Sequence, residues 1–175
     1  MPMSSAEGKD WTRDRIWALA TDGPVSLLDI GPGVGTYAKL LAGDKMGRTT
    51  GIEIWEPYVH TYRLRQYYDE IIVGDAREVA FPDADVVTLG DVAEHMSEED
   101  ALELWAKAAA AAQKAVYLSI PIIHYEQGSI EGNPHEHHVV ADWNHERVLA
   151  TFPGIGAWWL GSEVGVYERL VGSQA

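Results

Sequence analysis

The chain has 175 residues, 46% apolar and 23% charged, a balance that suits one globular domain with a real core and excludes a disordered or fibrous sequence. Its 27 acidic against 13 basic residues leave a formal charge of -14, so neither a broad nucleic-acid footprint nor an anionic membrane is expected as a partner. With no cysteine, disulfide frameworks, thiolate metal sites and cysteine nucleophiles are excluded, and any metal must sit on histidine, carboxylate or carbonyl groups.

Residues 1–24 read as an N-terminal helical segment, with an amphipathic stretch from Trp11 to Ala20 ended by the breaker cluster Thr21-Asp22-Gly23-Pro24. The start lacks the basic and apolar regions of a secretory signal, and no stretch approaches the ~18 apolar residues of a membrane span, so a cytoplasmic location is the expectation. Val25 to Ile30 is a nearly continuous apolar run, the mark of a strand buried on both faces of a parallel sheet. The glycine loop Gly31-Pro32-Gly33-Val34-Gly35 then opens a helix from Thr36 to Ala42. Thr50 to Ile54 reads as the second strand, and Pro57 starts a helix reaching Tyr68. Glu70 to Val73 and Asp85 to Leu89 are short apolar strands. Ser97 and Asp100 have the form of a capping box before a helix whose Leu102, Trp105, Ala109 and Ala112 share a face. That helix leads to a strand from Ala115 to Ile120, closed by Pro121.

Strand and helix alternate five times over this stretch, which predicts a doubly wound α/β fold with right-handed crossovers. After Pro121, residues 122–142 have no clear period and hold four of the seven histidines, so they are expected to form an active-site lid. Asn144 is placed to cap a helix running to about Phe152. Gly156–Gly161 and Val164–Leu170 read as an antiparallel hairpin at the sheet edge, completing a mostly parallel, seven-stranded sheet in a single domain, 1–175. A homo-oligomer is left open.

A glycine loop between a buried strand and a helix start lets backbone N–H groups approach a ligand, and an acid such as Glu53 at the end of the second strand can accept both hydroxyls of a ribose. A dinucleotide fingerprint needs glycine at the sixth position from Gly31, where this chain has Thr36. The spacing G-x-G-x-G favours a methyl donor instead.

Leu27 through Gly35, LLDIGPGVG, resembles the first motif of class I S-adenosylmethionine-dependent methyltransferases. Gly51-Ile52-Glu53-Ile54 is similar to the second motif, Gly74-Asp75-Ala76 to the third, and Asp85 through Met96, DVVTLGDVAEHM, to the fourth, in the same order along about residues 25 to 121. The resemblance implies S-adenosylmethionine as cofactor, with Asp29, Gly31, Gly33, Gly35, Glu53, Ile54, Asp75, Ala76 and Gly90 around it. Within that family Glu53 would bind ribose, Ile54 would pack on adenine, and Asp75 would accept from the adenine amino group.

Asp91, Glu94 and His95 follow the fourth strand at the carboxyl edge of the sheet, where open α/β folds bind ligands. On a helical turn the two acids can face one point while His95 covers the cleft. One reading makes His95 or a neighbouring carboxylate a general base for a hydroxyl proton; another makes the cluster, with His135, His137 or His138, a metal site. Asp91-x-x-Glu94-His95 is similar to the metal-binding E-x-x-E-H motif of small-RNA 2′-O-methyltransferases, but Asp replaces the first Glu and the later histidine spacing differs. An E-H pair there also occurs in small-molecule methyltransferases without metal, so the expectation is metal-free O-methylation of a small-molecule or carbohydrate-like acceptor, with Asp91 and His95 catalytic. A binding protein that kept the cofactor pocket without catalysis is the alternative from another class. The aromatic residues Trp11, Trp17, Trp55, Tyr58 and Tyr37 are expected mainly to pack rather than to line an acceptor pocket.

Overall fold

The computed structural model describes residues 5–172. Seven strands form one sheet: β1 (Val25–Ile30), β2 (Met46–Glu53), β3 (Glu70–Val73), β4 (Ala84–Gly90), β5 (Ala112–Pro121), β6 (Ala157–Leu160) and β7 (Val164–Leu170). Their spatial order is β3-β2-β1-β4-β5-β7-β6. The first five run parallel, while β7 inserts antiparallel beside β5 and β6 pairs antiparallel with β7 at the edge. The expected doubly wound sheet with its reversed C-terminal hairpin is the observed one.

Two apolar layers explain why the strands carry runs rather than alternation. Leu28 and Ile30 of β1 face α4 (Glu98–Ala111) and α5 (His145–Thr151), in a core built around Leu104, Trp105, Trp143 and Phe152. Val25 and Leu27 face the other way, onto Ile16 of α1 (Lys9–Ala18) and onto Tyr37 and Leu41 of α2 (Thr36–Leu41). Trp11 and Trp17 pack on this second cluster, as expected for packing aromatics. None of the helices among the described residues is long and apolar enough to cross a membrane.

Several element boundaries differ from expectation: β2 begins at Met46 instead of Thr50, and β5 takes in Ala112, which was expected on the helix before it. Helix α1 starts at Lys9, two residues early, because Gly8 adopts a left-handed conformation at its N-cap. The helix expected from Pro57 to Tyr68 stops as α3 (Glu56–Thr61); Arg63 turns left-handed and a single 3₁₀ turn, Leu64–Gln66, follows. That break brings Leu64 and Tyr68 into a third cluster with Ala38, Val59 and Ile71. It also lets the Tyr68 hydroxyl donate to Asp29. Strand β2 ends at Glu53 and leaves Ile54 outside the ladder. In α4, Ser97 Oγ accepts from Asp100 N at 3.1 Å, whereas the Asp100 carboxylate turns to Arg77. Asn144 caps α5 as expected, accepting from Arg147 N at 2.9 Å.

The segment before α1 is anchored through one carboxylate. Glu7 accepts from Ser162 Oγ (2.6 Å) and from the backbone N–H groups of Ser162 (3.1 Å), Glu163 (3.0 Å) and Val164 (3.0 Å), in the turn between β6 and β7. The Ser162 hydroxyl, followed by the backbone donors, lowers its pKa to about 2. A folded-state pKa below the unfolded one stabilises above the ordinary glutamate range and is lost as pH falls towards 2. Glu7→Gln is therefore expected to flatten the acid limb of the stability curve between about pH 4.5 and 2. Denaturant titrations across that range check it, and parallel curves for both proteins would contradict the anchor.

Candidate active site

A cavity of about 860 Å³ opens over the carboxyl ends of β1, β2 and β4. That is ample for a cofactor-sized ligand with a small partner. One side is the glycine loop. Gly31 has a left-handed φ of 65°, and a Cβ there would meet Val92 Cγ2 at 2.6 Å. Gly90, at the end of β4, has no room for a Cβ either, since it would run into the Tyr37 ring. Both positions thus bring bare backbone to the cavity wall.

Glu53 is nearly buried, and its carboxylate accepts from Gly33 N (3.3 Å) and Trp55 N (2.8 Å). Burial pushes its pKa up to about 7 against the pull of those two donors, with Glu136 and Asp29 adding repulsion. Ile54, Asp75, Ala76 and Gly90 line the cavity beside it. Asp75 is gripped by Arg77, whose Nη2 lies 2.6 Å from Oδ2, and that partner holds it below the ordinary carboxylate range. Asp29 and Gly35 stand behind the wall instead of in it. Asp29 is fully buried, accepts from the Tyr68 hydroxyl and from Thr88 Oγ1 (2.7 Å), and has a pKa raised by desolvation to about 6. It ties β1 to β4 and to Tyr68, ahead of β3. Gly35 is the left-handed N-cap of α2.

The far side of the cavity carries Asp91, Glu94, His95 and His138. The expected helical turn is a 3₁₀ turn, Ala93–His95, and Asp91 precedes it with a left-handed φ of 55°. The two acids therefore do not share one point. Asp91 Oδ1 accepts from Ser119 Oγ at 2.9 Å, while Oδ2 lies 3.9 Å from the buried Lys9 ammonium. Lys9 itself donates to Tyr37 Oη (3.1 Å) and Ser119 Oγ (3.2 Å). Glu94 is 2% exposed, and burial, followed by repulsion from Asp91, raises its pKa well above the ordinary value. Among the described residues, Asp91 Oδ2 and Glu94 Oε2 are the buried carboxylate oxygens without a hydrogen-bond donor. Burial lowers the His95 pKa to about 4.

Residues 122–142 fold over this cavity with little regular structure beyond the 3₁₀ turn Pro134–Glu136. The Glu94 carbonyl accepts from Val139 N (2.9 Å) and Val140 N (3.1 Å), which seats His138 beside His95. Tyr62 donates to Glu131 (2.6 Å) and Tyr58 to the Ile130 carbonyl (3.3 Å), tying the middle of the segment to α3 and its C-cap. His138 is buried, whereas His135 and His137 are exposed. Of the aromatics singled out in sequence, Tyr58 lines the cavity. Sequence reasoning missed Lys9, Arg77 and Glu136. Lys9 and Glu136 reach the site across long chain separations that local patterns do not encode, whereas the adjacency of Arg77 to Asp75 was a signal open to reading.

The methyltransferase-domain family matches residues 28–120. Among solved structures, the magnesium protoporphyrin IX methyltransferase of Synechocystis PCC 6803 with bound SAM is similar at 16% identity and a TM-score of 0.69, covering 95% of this chain and 79% of that one. An S-adenosylmethionine-dependent methyltransferase from Clostridium acetobutylicum ATCC 824 aligns at 10% identity with a TM-score of 0.71, over 98% of this chain and 94% of that one. The mitomycin 7-O-methyltransferase MmcR aligns at 20% identity with a TM-score of 0.64, over 92% of this chain and 54% of its own. No curated protein matches. At these identities the structural likeness shows the shared fold.

Proposed function

Since the chain belongs to the methyltransferase-domain family, we propose that it transfers the methyl group of S-adenosylmethionine to a hydroxyl of a small-molecule or carbohydrate-like acceptor. The observation that carries the reading is the division of one cavity into two chemically different ends. Glu53, with the glycine loop beneath it, suits the ribose and methionine of the donor, and Ile54 and Ala76 flank the space for adenine. Opposite them, Asp91, Glu94, His95 and His138 offer acceptor atoms, which suits an O–H group and a cationic sulfonium. Neighbours that bind S-adenosylmethionine or methylate oxygen support the same assignment.

In the reaction the acceptor oxygen forms the new C–O bond while the C–S bond breaks, its electron pair staying on sulfur. The hydroxyl proton leaves through the acceptor groups of the wall to solvent. The protein supplies orientation and exclusion of water, since the sulfonium is already activated. Asp91 and His95 orient the hydroxyl, and residues 122–142 form the cover that keeps water out. Mass-shift screening of acceptor pools with isotope-labelled donor tests the reading. The expected product carries one added methyl group on oxygen; methyl found on nitrogen, or no binding of S-adenosylhomocysteine, would overturn it.

A further inference from the structure

We propose that Glu94, His95 and His138 form a binding site for one divalent transition ion of the zinc or cobalt class. Their ligand atoms all lie within 4.8 Å of one another on the cavity wall. The orientation of both imidazoles follows from their other nitrogen. His95 Nδ1 faces the His137 carbonyl at 3.3 Å, and His138 Nδ1 faces the Tyr125 carbonyl at 2.7 Å. A carbonyl only accepts, so each Nδ1 carries the hydrogen and each Nε2 is a bare lone pair, the arrangement in which carbonyl partners prepare histidine for a metal.

The third donor is prepared as well. Glu94 Oε2 is buried with no hydrogen-bond donor, and a bound cation would satisfy it. The Glu94 carbonyl clamps Val139 and Val140, so the residue that offers the carboxylate also fixes the backbone that carries His138. The sequence led to a metal-free expectation, and the ligand set here also differs from the metal alternative weighed beside it. Asp91 is drawn off by Ser119 and Lys9, and the buried His138 serves, whereas His137 is exposed and His135 sits elsewhere on the cavity wall, beside Trp55. Two imidazoles and one carboxylate suit borderline ions and not magnesium or calcium, which prefer all-oxygen sets. Three protein ligands leave a position open towards the cavity; with the ion bound, His95 would act on the acceptor hydroxyl through it, and the ion would hold that hydroxyl and lower its pKa. That role rests on the proposed methyl transfer; binding of the ion does not.

The test is titration of the chelator-treated full chain with cobalt(II) chloride, read by its visible absorption and by calorimetry, with S-adenosylhomocysteine binding measured on the same samples. One cobalt per chain is expected, with affinity lowered at least ~10-fold in Glu94→Gln and in His138→Ala, unchanged in His124→Ala, and not displaced by magnesium. No cobalt binding by the wild-type chain, or equal binding in the two ligand variants, overturns the site while leaving the methyl-donor reading intact if the homocysteine product still binds. Failure of that product to bind overturns the methyl-donor reading, and the cobalt titration then judges the metal site alone.

Discussion

Glu53→Gln is expected to weaken S-adenosylmethionine binding by about 1–3 kcal/mol through loss of charge-assisted bonds to the ribose hydroxyls. It should also change how the empty protein responds to pH. The Glu53 carboxyl is buried and its pKa stands near 7 in the folded chain. A folded value above the unfolded one means the native state keeps its proton longer. Stability therefore falls as pH rises from about 4.5 to 7, by on the order of 3 kcal/mol for this group. Glutamine has no proton to lose and removes that slope. It also retains one acceptor oxygen for the two N–H groups of Gly33 and Trp55, a loss of about 1–3 kcal/mol. The variant should be less stable than the wild type near pH 5 and should close or reverse the gap near pH 8. Denaturant titrations at both pH values, with calorimetric titration of donor, check the two halves separately. A variant with unchanged donor affinity would remove Glu53 from the cofactor site.

Trp105→Ala should produce the largest loss of stability with no loss of binding. Trp105 is 0% exposed, packs on Phe152 with centroids 5.6 Å apart, and donates from Nε1 to the Pro153 carbonyl at 3.0 Å. Its truncation leaves a cavity between α4 and α5 and an unpaired carbonyl, a cost of about 3–5 kcal/mol. For a chain of this size that lowers Tm by roughly 6–20 °C. The residue does not line the cavity, so donor affinity measured well below the transition should match the wild type. A small Tm shift would mean that the α4–α5 layer collapses to fill the space.

The parts of the site carried by local pattern were legible in advance. The run of apolar residues in β1, the glycines after it and Glu53 at the end of β2 each announce themselves within a few residues, because strand burial and left-handed turns leave a compositional mark. Tyr68 shows the limit. Its helical spacing from Pro57 concealed a break whose reason is tertiary, the need to bring Tyr68 under Asp29. Lys9 was hidden in the same way, as one more charge just before an amphipathic stretch. Only the fold shows it buried among Tyr37, Ser119 and Asp91. The histidines were visible as a group, but which of them meets His95 depends on the Glu94 carbonyl clamp, a backbone contact without sequence signature.

The placement of β7 between β5 and β6 sets an order of events for the folding chain. Strand β7 completes the sheet only beside β5, and α1, although Ile16 packs on nearby β1 and α2, finds its polar partners on β7 and the β6–β7 turn only with them. Arg15 clasps Glu168 across 153 positions, and Glu7 reaches the Ser162–Val164 turn across 155 to 157. Such distant closures are slow to find, because a long loop must be ordered before any contact rewards it. The parallel strands can assemble around local crossovers, with α1 packed on β1 and α2, before the distant ties of its N-terminal end close. Lys9 then arrives beneath Asp91, and Ser5 and Ala6 at the cavity rim, among the last native contacts to form. A half-folded chain would hold the glycine loop and Glu53 yet lack one wall of the cavity.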